Sequence, residues 1–381
     1  MKTIYFDYNA TTPLDPAVRA AMSPLLEQVW GNPSSVHRLG REARARLDEA
    51  RDRVAAVWQT RPSEIIFTSG GTESNNLAIF GAARMLRDKG RHLITSQVEH
   101  HAVLHSFQYL EKKERFDVTY LPVDQAGLVQ PDDLAKAIRS DTTLVSVMAA
   151  NNETGTIQPV ADLGKICRDR GVLFHTDAVQ WFGKEPFENI AQFNADLVSV
   201  CAHKFHGPKG AGALFIKSPL YPDPIIFGGG HENERRAGTE NLAAIVGFAE
   251  ATERFVRTPV FPPAELRSFA AQLSDAIAAT EGVSLRGSRS RCLSNTVAFT
   301  VESADSIALL AGLDMEGICA SSGSACSSGS LEPSHVMLAM GVDKNQANAL
   351  VRFSLGREST VAEIEAARKI LPTVIARVRK S

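Results

Sequence analysis

A lone thiol, Cys326, sits in the stretch SSGSACSSGS, residues 321–330, among small polar residues and glycines rather than among Leu, Val and Ile. Composition alone makes this a linker. A thiol on a linker can also be a nucleophile that travels between a buried site and the surface, and the other reactive groups of the chain decide between the two. The run GVLFH is followed by TDAVQ, with Asp177 and Gln180, and the run LVSVCA by HKFHGPKG, with His203 and Lys204. After EIIFTS comes GGTESNN, residues 70–76, with Gly71 and Thr72. QVEHHAVLHS supplies His100, His101 and His105, and AANNETG supplies Asn152.

Each group alone has a bland reading: Thr72 or Asp177 as a helix cap, Lys204 as a solvated ammonium, Asn152 as an Asx-turn. Together they share a position, immediately after a buried apolar run. A lysine for a Schiff base and a carboxylate to keep a pyridine nitrogen protonated are what pyridoxal phosphate requires. A glycine turn opening a helix offers free N–H groups and positive dipole to a phosphate. This turn is neither a P-loop nor the dinucleotide fingerprint. His101 and His105 have the i, i+4 spacing of zinc ligands, but Ala102 stands where the catalytic glutamate of H-E-x-x-H would be, so no metal is expected there. His100, at a strand-to-helix turn, is suited to lie over a planar cofactor. Asn152 could bond a ring oxygen of that cofactor or a substrate carboxylate.

These groups need a scaffold that lines up strand ends. From about residue 63 to 216, short β-rich runs alternate with amphipathic stretches such as 75–89 and 160–170. Such alternation predicts crossover units, a mostly parallel sheet and helices on both faces, with ligands beyond the carboxyl ends of the strands. A helical pattern over 240–256 is followed by TPVFPP, residues 258–263, a hinge signal. Beyond it the pattern reads helix (264–280), strand (295–301), helix (306–313), the Cys326 loop, the strand VRFSL and a last helix. The reading is α/β: a large domain over 15–257, and a smaller α+β domain over 1–14 and 258–381 that carries the thiol.

The 381 residues exceed what one core usually holds, which agrees with two domains. With 44% hydrophobic and 22% charged residues and a net charge of −2, nothing favours a nucleic-acid or anionic-membrane partner. The opening MKTIYFDYNATT has no apolar h-region, and no apolar run approaches the ~20 residues of a membrane span. A cytoplasmic location is the default expectation. The five cysteines (Cys167, Cys201, Cys292, Cys319 and Cys326) are scattered without a CxxC, against a disulfide framework or a structural zinc site. Cys167, Cys292 and Cys319 read as small core residues.

Along the whole chain, YFDYNATTPLDP, GNPSSVHRLG, HTDAVQ, AHKFHGPKG, RRAGTEN, SSGSACSSGSLEPSHV and VRFSLGR resemble the cysteine desulfurases of the NifS/IscS type, in the class V group of the aspartate aminotransferase fold. The Ser-rich loop is similar to that of the members with an extended catalytic loop. The resemblance implies a pyridoxal-phosphate-dependent sulfurtransferase, homodimeric, acting on L-cysteine. It implies that Lys204 carries the cofactor and shuttles the Cα proton. It gives Asp177 the pyridinium nitrogen, Gln180 the ring hydroxyl, and His100 ring stacking and proton exchange. Gly71, Thr72, Cys201 and His203 would line the phosphate site, with Thr239 of RRAGTEN reaching in from the partner subunit. Asn152 and Arg352 would hold the substrate carboxylate, a task that suits a planar guanidinium.

No intrinsic metal is implied; Cys326 could serve only as a transient iron–sulfur ligand. Two departures stand out. Cys201 occupies a place where the family usually has a phosphate-binding serine, and a thiol is a weaker donor. The chain ends at Ser381, shortly after its last helix, where scaffold-loading members carry a longer tail, so an iron–sulfur scaffold as the sulfur acceptor stays open. On this reading Cys326 takes the substrate sulfur as a persulfide and carries it outward. Four or five extended residues on each side reach at most ~13–18 Å, so the linker is a tether. A selenocysteine lyase or a class V aminotransferase is the alternative with the same cofactor, and a catalytically idle partner protein the alternative without chemistry.

Overall fold

The computed structural model describes residues 3–323 and 332–379. Cys326 lies outside the described residues. Among the described residues, twelve strands run in chain order: β1 (Ile4–Tyr5), β2 (Ile65–Thr68), β3 (His92–Ser96), β4 (Asp117–Leu121), β5 (Thr142–Ser146), β6 (Leu173–Asp177), β7 (Leu197–Cys201), β8 (Gly212–Ile216), β9 (Val283–Arg286), β10 (Thr296–Val301), β11 (Ile318–Cys319) and β12 (Leu350–Ser354). The seven-stranded sheet has the order β2-β8-β7-β6-β5-β3-β4. Only β8 runs against its neighbours β2 and β7; the other pairings are parallel.

The strands of this sheet, β4 at its edge apart, are almost wholly buried, which is why they read as apolar runs rather than alternating ones. Their side chains still alternate between two cores. Ile66, Leu197, Leu214 and Ile216 pack with α3 (Gly71–Met85) and α4 (His101–Glu114). Ile65, Phe67, Val198, Ala213 and Phe215 join the cluster that holds Leu47, Trp58 and Phe248 on the opposite face.

A separate cluster takes Phe6 and Tyr8 together with residues from 261 to 375, around the antiparallel sheet β12-β10-β9. The segment that follows β1 therefore belongs to this second core, while β1 itself pairs in parallel with β11. Among the described residues, no helix is long and apolar enough to cross a membrane.

Two local expectations are corrected. The helix expected over 75–89 begins at Gly71, so the glycine turn is its first turn rather than a preceding loop. Cys319 is not a core residue: in the two-residue strand β11, Ile318 is fully buried and the period of two turns Cys319 outward to partial exposure. Cys292 is also partly exposed as a residue, yet burial of its thiol pushes it up to about 12.

Candidate functional site

The carboxyl ends of β5, β6 and β7, the first turn of α3, the start of α4 and the segment after β1 enclose a cavity of about 200 Å³. Strand β7 ends at Cys201, and a short 3₁₀ turn (Ala202–Lys204) swings Lys204 into this space. Lys204 Nζ donates to the main-chain oxygens of Asn9 (2.6 Å) and Ala10 (2.8 Å). Burial lowers its pKa from the ordinary lysine value, which favours the neutral amine.

Asp177 is the last residue of β6 and is 5% exposed. Its Oδ1 accepts from the Val179 amide (3.0 Å) and its Oδ2 from Asn75 Nδ2 (2.7 Å). Burial raises its pKa, while these bonds and the Lys204 charge oppose the rise. Asn75 stands one turn into α3, and its Oδ1 is buried without a partner.

His100 caps α4: its Nδ1 accepts from the Ala102 amide (3.1 Å), which leaves the proton of the neutral ring on Nε2. Burial first, then Lys204, push its pKa down to about 4. His203 is likewise lowered to about 4 by burial, and its Nδ1 lies 3.2 Å from Thr11 Oγ1.

The first turn of α3 is built on close approach. Gly70, with φ 152° and ψ −175°, caps the helix without a side chain. A Cβ on Gly71 would lie 2.7 Å from Val179 Cγ2, and one on Gly212 would lie 2.7 Å from the Gly70 Cα. Glycine at 212 lets two backbones meet and glycine at 71 leaves room for the Val179 side chain, and the initial N–H groups of the helix are left to face the cavity with the positive end of the dipole. Thr72 and Cys201 line the same end, and burial pushes the Cys201 thiol up to about 11, so it stays protonated.

Gln180 and Asn152 also line the cavity. Gln180 Nε2 donates to the Asn9 carbonyl (3.0 Å). Arg352, in the middle of β12, is 1% exposed. Its Nη2 pairs with Asp7 Oδ1 (2.6 Å), its Nη1 donates to the carbonyls of Asn152 (2.8 Å) and Gly323 (2.7 Å), and its Nε is buried without a partner. The Asn152 group that meets Arg352 is thus its main-chain carbonyl.

Ten of the residues singled out in the sequence line this one cavity: Gly71, Thr72, His100, Asn152, Asp177, Gln180, Cys201, His203, Lys204 and Arg352. Thr239 does not; it is exposed, in the segment leading to α7 (Leu242–Phe255). Sequence reasoning missed Asn9 and Ala10, whose carbonyls hold Lys204, and Asn75, which holds Asp177. A helix starting at Gly71 would have flagged Asn75, four residues on and so on the same face. Nothing local flags Asn9.

Comparison with known proteins agrees with this arrangement. The Aminotransferase class-V family profile matches residues 4–367. The cysteine desulfurase IscS of Dictyoglomus turgidum is 46% identical, over 99% of this chain and 96% of its own. A solved NifS-like protein superposes with a TM-score of 0.91 at 37% identity, covering 98% of this chain and all of that one. A second, SspA in complex with cysteine, gives 0.83 at 36% identity over 94% of this chain and 100% of its own. By sequence and by fold, this chain belongs to the class-V aminotransferase family and, within it, to the cysteine desulfurases.

Proposed function

We propose that this chain converts L-cysteine to L-alanine with pyridoxal phosphate and takes up the sulfur on Cys326 as a persulfide. The class-V family works with this cofactor, and the cavity residues suit it. Asp177 offers a buried carboxylate to a protonated pyridine nitrogen, Lys204 an amine to the aldehyde, and the open first turn of α3 a cradle to the phosphate, with Thr72, Cys201 and His203 beside it. When bound, the cofactor supplies an electron sink for charge left at the substrate Cα.

The protein's own groups then divide the work. Arg352 and Asn152 hold the substrate carboxylate, and Lys204 as a neutral amine accepts the Cα proton. His100, neutral with its proton on Nε2, would lie over the cofactor ring and can give or take a proton there. Gln180 would donate to the ring oxygen. Cys326 attacks the substrate sulfur as a thiolate: a sulfur–sulfur bond forms, the Cβ–S bond breaks, and its electron pair stays with the carbon skeleton, which takes up protons and leaves as alanine. One thiol and one cysteine thus yield one persulfide and one alanine.

The convergence of Lys204, Asp177, His100 and the glycine cradle on one cavity carries this reading. The Gly323 carbonyl is bonded to Arg352 at that cavity, and three further residues of chain span at most ~10–11 Å, so the covalent reach of Cys326 includes it. A relative solved with cysteine supports the substrate. Exposure of Thr239 fits a residue offered to a second subunit, and Leu26, Trp30, Val36 and Phe227, each more than two-thirds exposed, fit a homodimer. The cluster of Leu47, Trp58 and Phe248 and the cluster around β12-β10-β9 support a division into 15–257 and 1–14 with 258–381, with Val98 packing on Ala298, Val336 and Met337 where the two parts meet. A cytoplasmic setting and onward transfer of sulfur to iron–sulfur assembly or another acceptor complete the reading.

Cys326→Ala tests it. The variant should keep the cofactor's colour, bind cysteine and release almost no alanine, with excess dithiothreitol present. It should still release alanine from selenocysteine, whose selenium leaves more readily. Surviving cysteine turnover would remove Cys326 from the chemistry; loss of both activities would make it a structural or substrate-positioning residue.

A further inference from the structure

Lys184 does not line the cavity, and it is fully buried. Lysines are rarely that buried without a carboxylate partner. The two hydrogen bonds of Lys184 go instead to amide oxygens: Asn9 Oδ1 at 2.6 Å, and Gln180 Oε1 at short range. The Phe261 ring centroid lies 5.3 Å from Nζ. An apolar side chain of similar length would fill this place without the desolvation of an amine. The bonds therefore have a use other than stability.

Both oxygens belong to one network. The Asn9 side chain is fixed by Thr296 Oγ1 (2.9 Å), to which its Nδ2 donates, and by Asn295 Nδ2 (3.1 Å), which donates to its Oδ1. The Asn9 carbonyl accepts from both Gln180 Nε2 and Lys204 Nζ. Lys184, outside the cavity lining, holds the Gln180 oxygen, and the Asn9 carbonyl takes one of the two amide hydrogens. The second hydrogen remains for a group in the cavity.

We propose that Lys184 is a positioning residue of the site: by holding Gln180 Oε1 and Asn9 Oδ1 together it keeps the Gln180 amide presenting N–H to the cofactor's ring oxygen. The inference rests on the role given above to Gln180. Without Lys184 the Gln180 oxygen is left buried and unpartnered, and the amide swings away to find a donor. The ionisable groups around Lys184 are Lys204, Arg352, Cys201 and Glu185; all remain in place when only its amine is removed.

The test is a pH titration of the bound cofactor's visible absorption in the holoenzyme, on wild type, Lys184→Met, Gln180→Leu, the double variant and Lys184→Arg. A donor on the ring oxygen favours its anionic form, so losing it raises the midpoint, by about 0.4–1 pH unit. Lys184→Met and Gln180→Leu should each raise it, the double variant no further, and Lys184→Arg, which restores a donor, should return it towards wild type. Lys184→Leu serves in place of the methionine variant should that one fail to fold. A shift in Gln180→Leu with none in Lys184→Met, or shifts that add in the double variant, would overturn the action of Lys184 through Gln180. An unmoved midpoint in Gln180→Leu would overturn the Gln180 role itself, and this inference with it.

Discussion

Replacing Arg352 by alanine separates two duties that the structure gives to one guanidinium. The side chain is 1% exposed and neutralises Asp7, whose own side chain is 20% exposed. Breaking a buried pair by removing one partner costs about 3–5 kcal/mol. Partial access of water to Asp7 brings the expected loss to about 2–4 kcal/mol, read as a lower denaturant midpoint. For substrate, a charged hydrogen bond to carboxylate contributes about 1.5–3 kcal/mol, so KM for cysteine should rise about ten- to a hundred-fold. Cofactor content should hold, because the proposed role of Arg352 is on the substrate carboxylate and not on the phosphate or ring. Adding Asp7→Asn to the variant removes the stranded carboxylate. Stability should then recover in part while KM stays high, the signature of two separable roles. Steady-state alanine release gives KM, and urea titration followed by fluorescence gives stability. An unchanged KM in the single variant would show that another group holds the carboxylate. A KM restored in the double variant would show that Arg352 acts on substrate only by neutralising Asp7.

Borohydride reduction followed by peptide mapping should label Lys204; label on Lys209, or on Lys184 with which it shares Asn9, would overturn the site. Cys201→Ser should bind the cofactor at least as tightly as wild type by equilibrium dialysis, since a hydroxyl donates better to phosphate; weaker binding would mean that the thiol does not face it. Acid should destabilise the cofactor-free protein. Burial pushes His175 down to about 3 and His100, His203 and His206 to about 4, all from 6.5. The unfolded chain takes up these protons first, so their contribution is whole above pH 6.5 and shrinks as pH falls towards 4. Glu99, fully buried and raised to about 8, opposes this by keeping in the fold a proton that the unfolded chain releases above 4.5. His92 and His101 are lowered by burial as well, while Asp177 and Glu185 are raised like Glu99. Six histidines outweigh three carboxylates, so the urea midpoint should fall between pH 7 and 5, and a flat profile would refute the reasoning.

The strand ends were legible because each buried strand ends where its polar residues begin. LVSVC followed by AHK, and LFHTD itself, mark β7 and β6 and the groups at their tips. What was hidden depends on pairings with no local trace. Asp7 and Arg352 are 345 residues apart, and neither residue type announces an ion pair there. Nothing in the sequence singles out Lys184, and only the packing of Phe261 and Asn9 around it shows its burial. The start of α3 was placed late because a helix that opens on glycines lacks the usual side-chain cap. Cys319 was misread because a two-residue strand is too short for its alternation to be visible.

The segment after β1 has a consequence for biosynthesis. Asn9 and Ala10 hold Lys204 from a stretch that is translated before any strand of the seven-stranded sheet. That stretch is itself fixed by partners near the other end: Ile4 and Tyr5 by β11, the Asn9 amide by Ser354 Oγ, and Asp7 by Arg352. Contacts that far apart in the chain form late, because loop closure must precede them. The seven-stranded sheet can assemble on the ribosome once β8 has emerged, yet the cavity stays unfinished until β12 follows it. A nascent chain paused before residue 350 would lack Arg352 and Ser354, two of the groups that fix this segment, and cofactor capture should rise once synthesis passes that point.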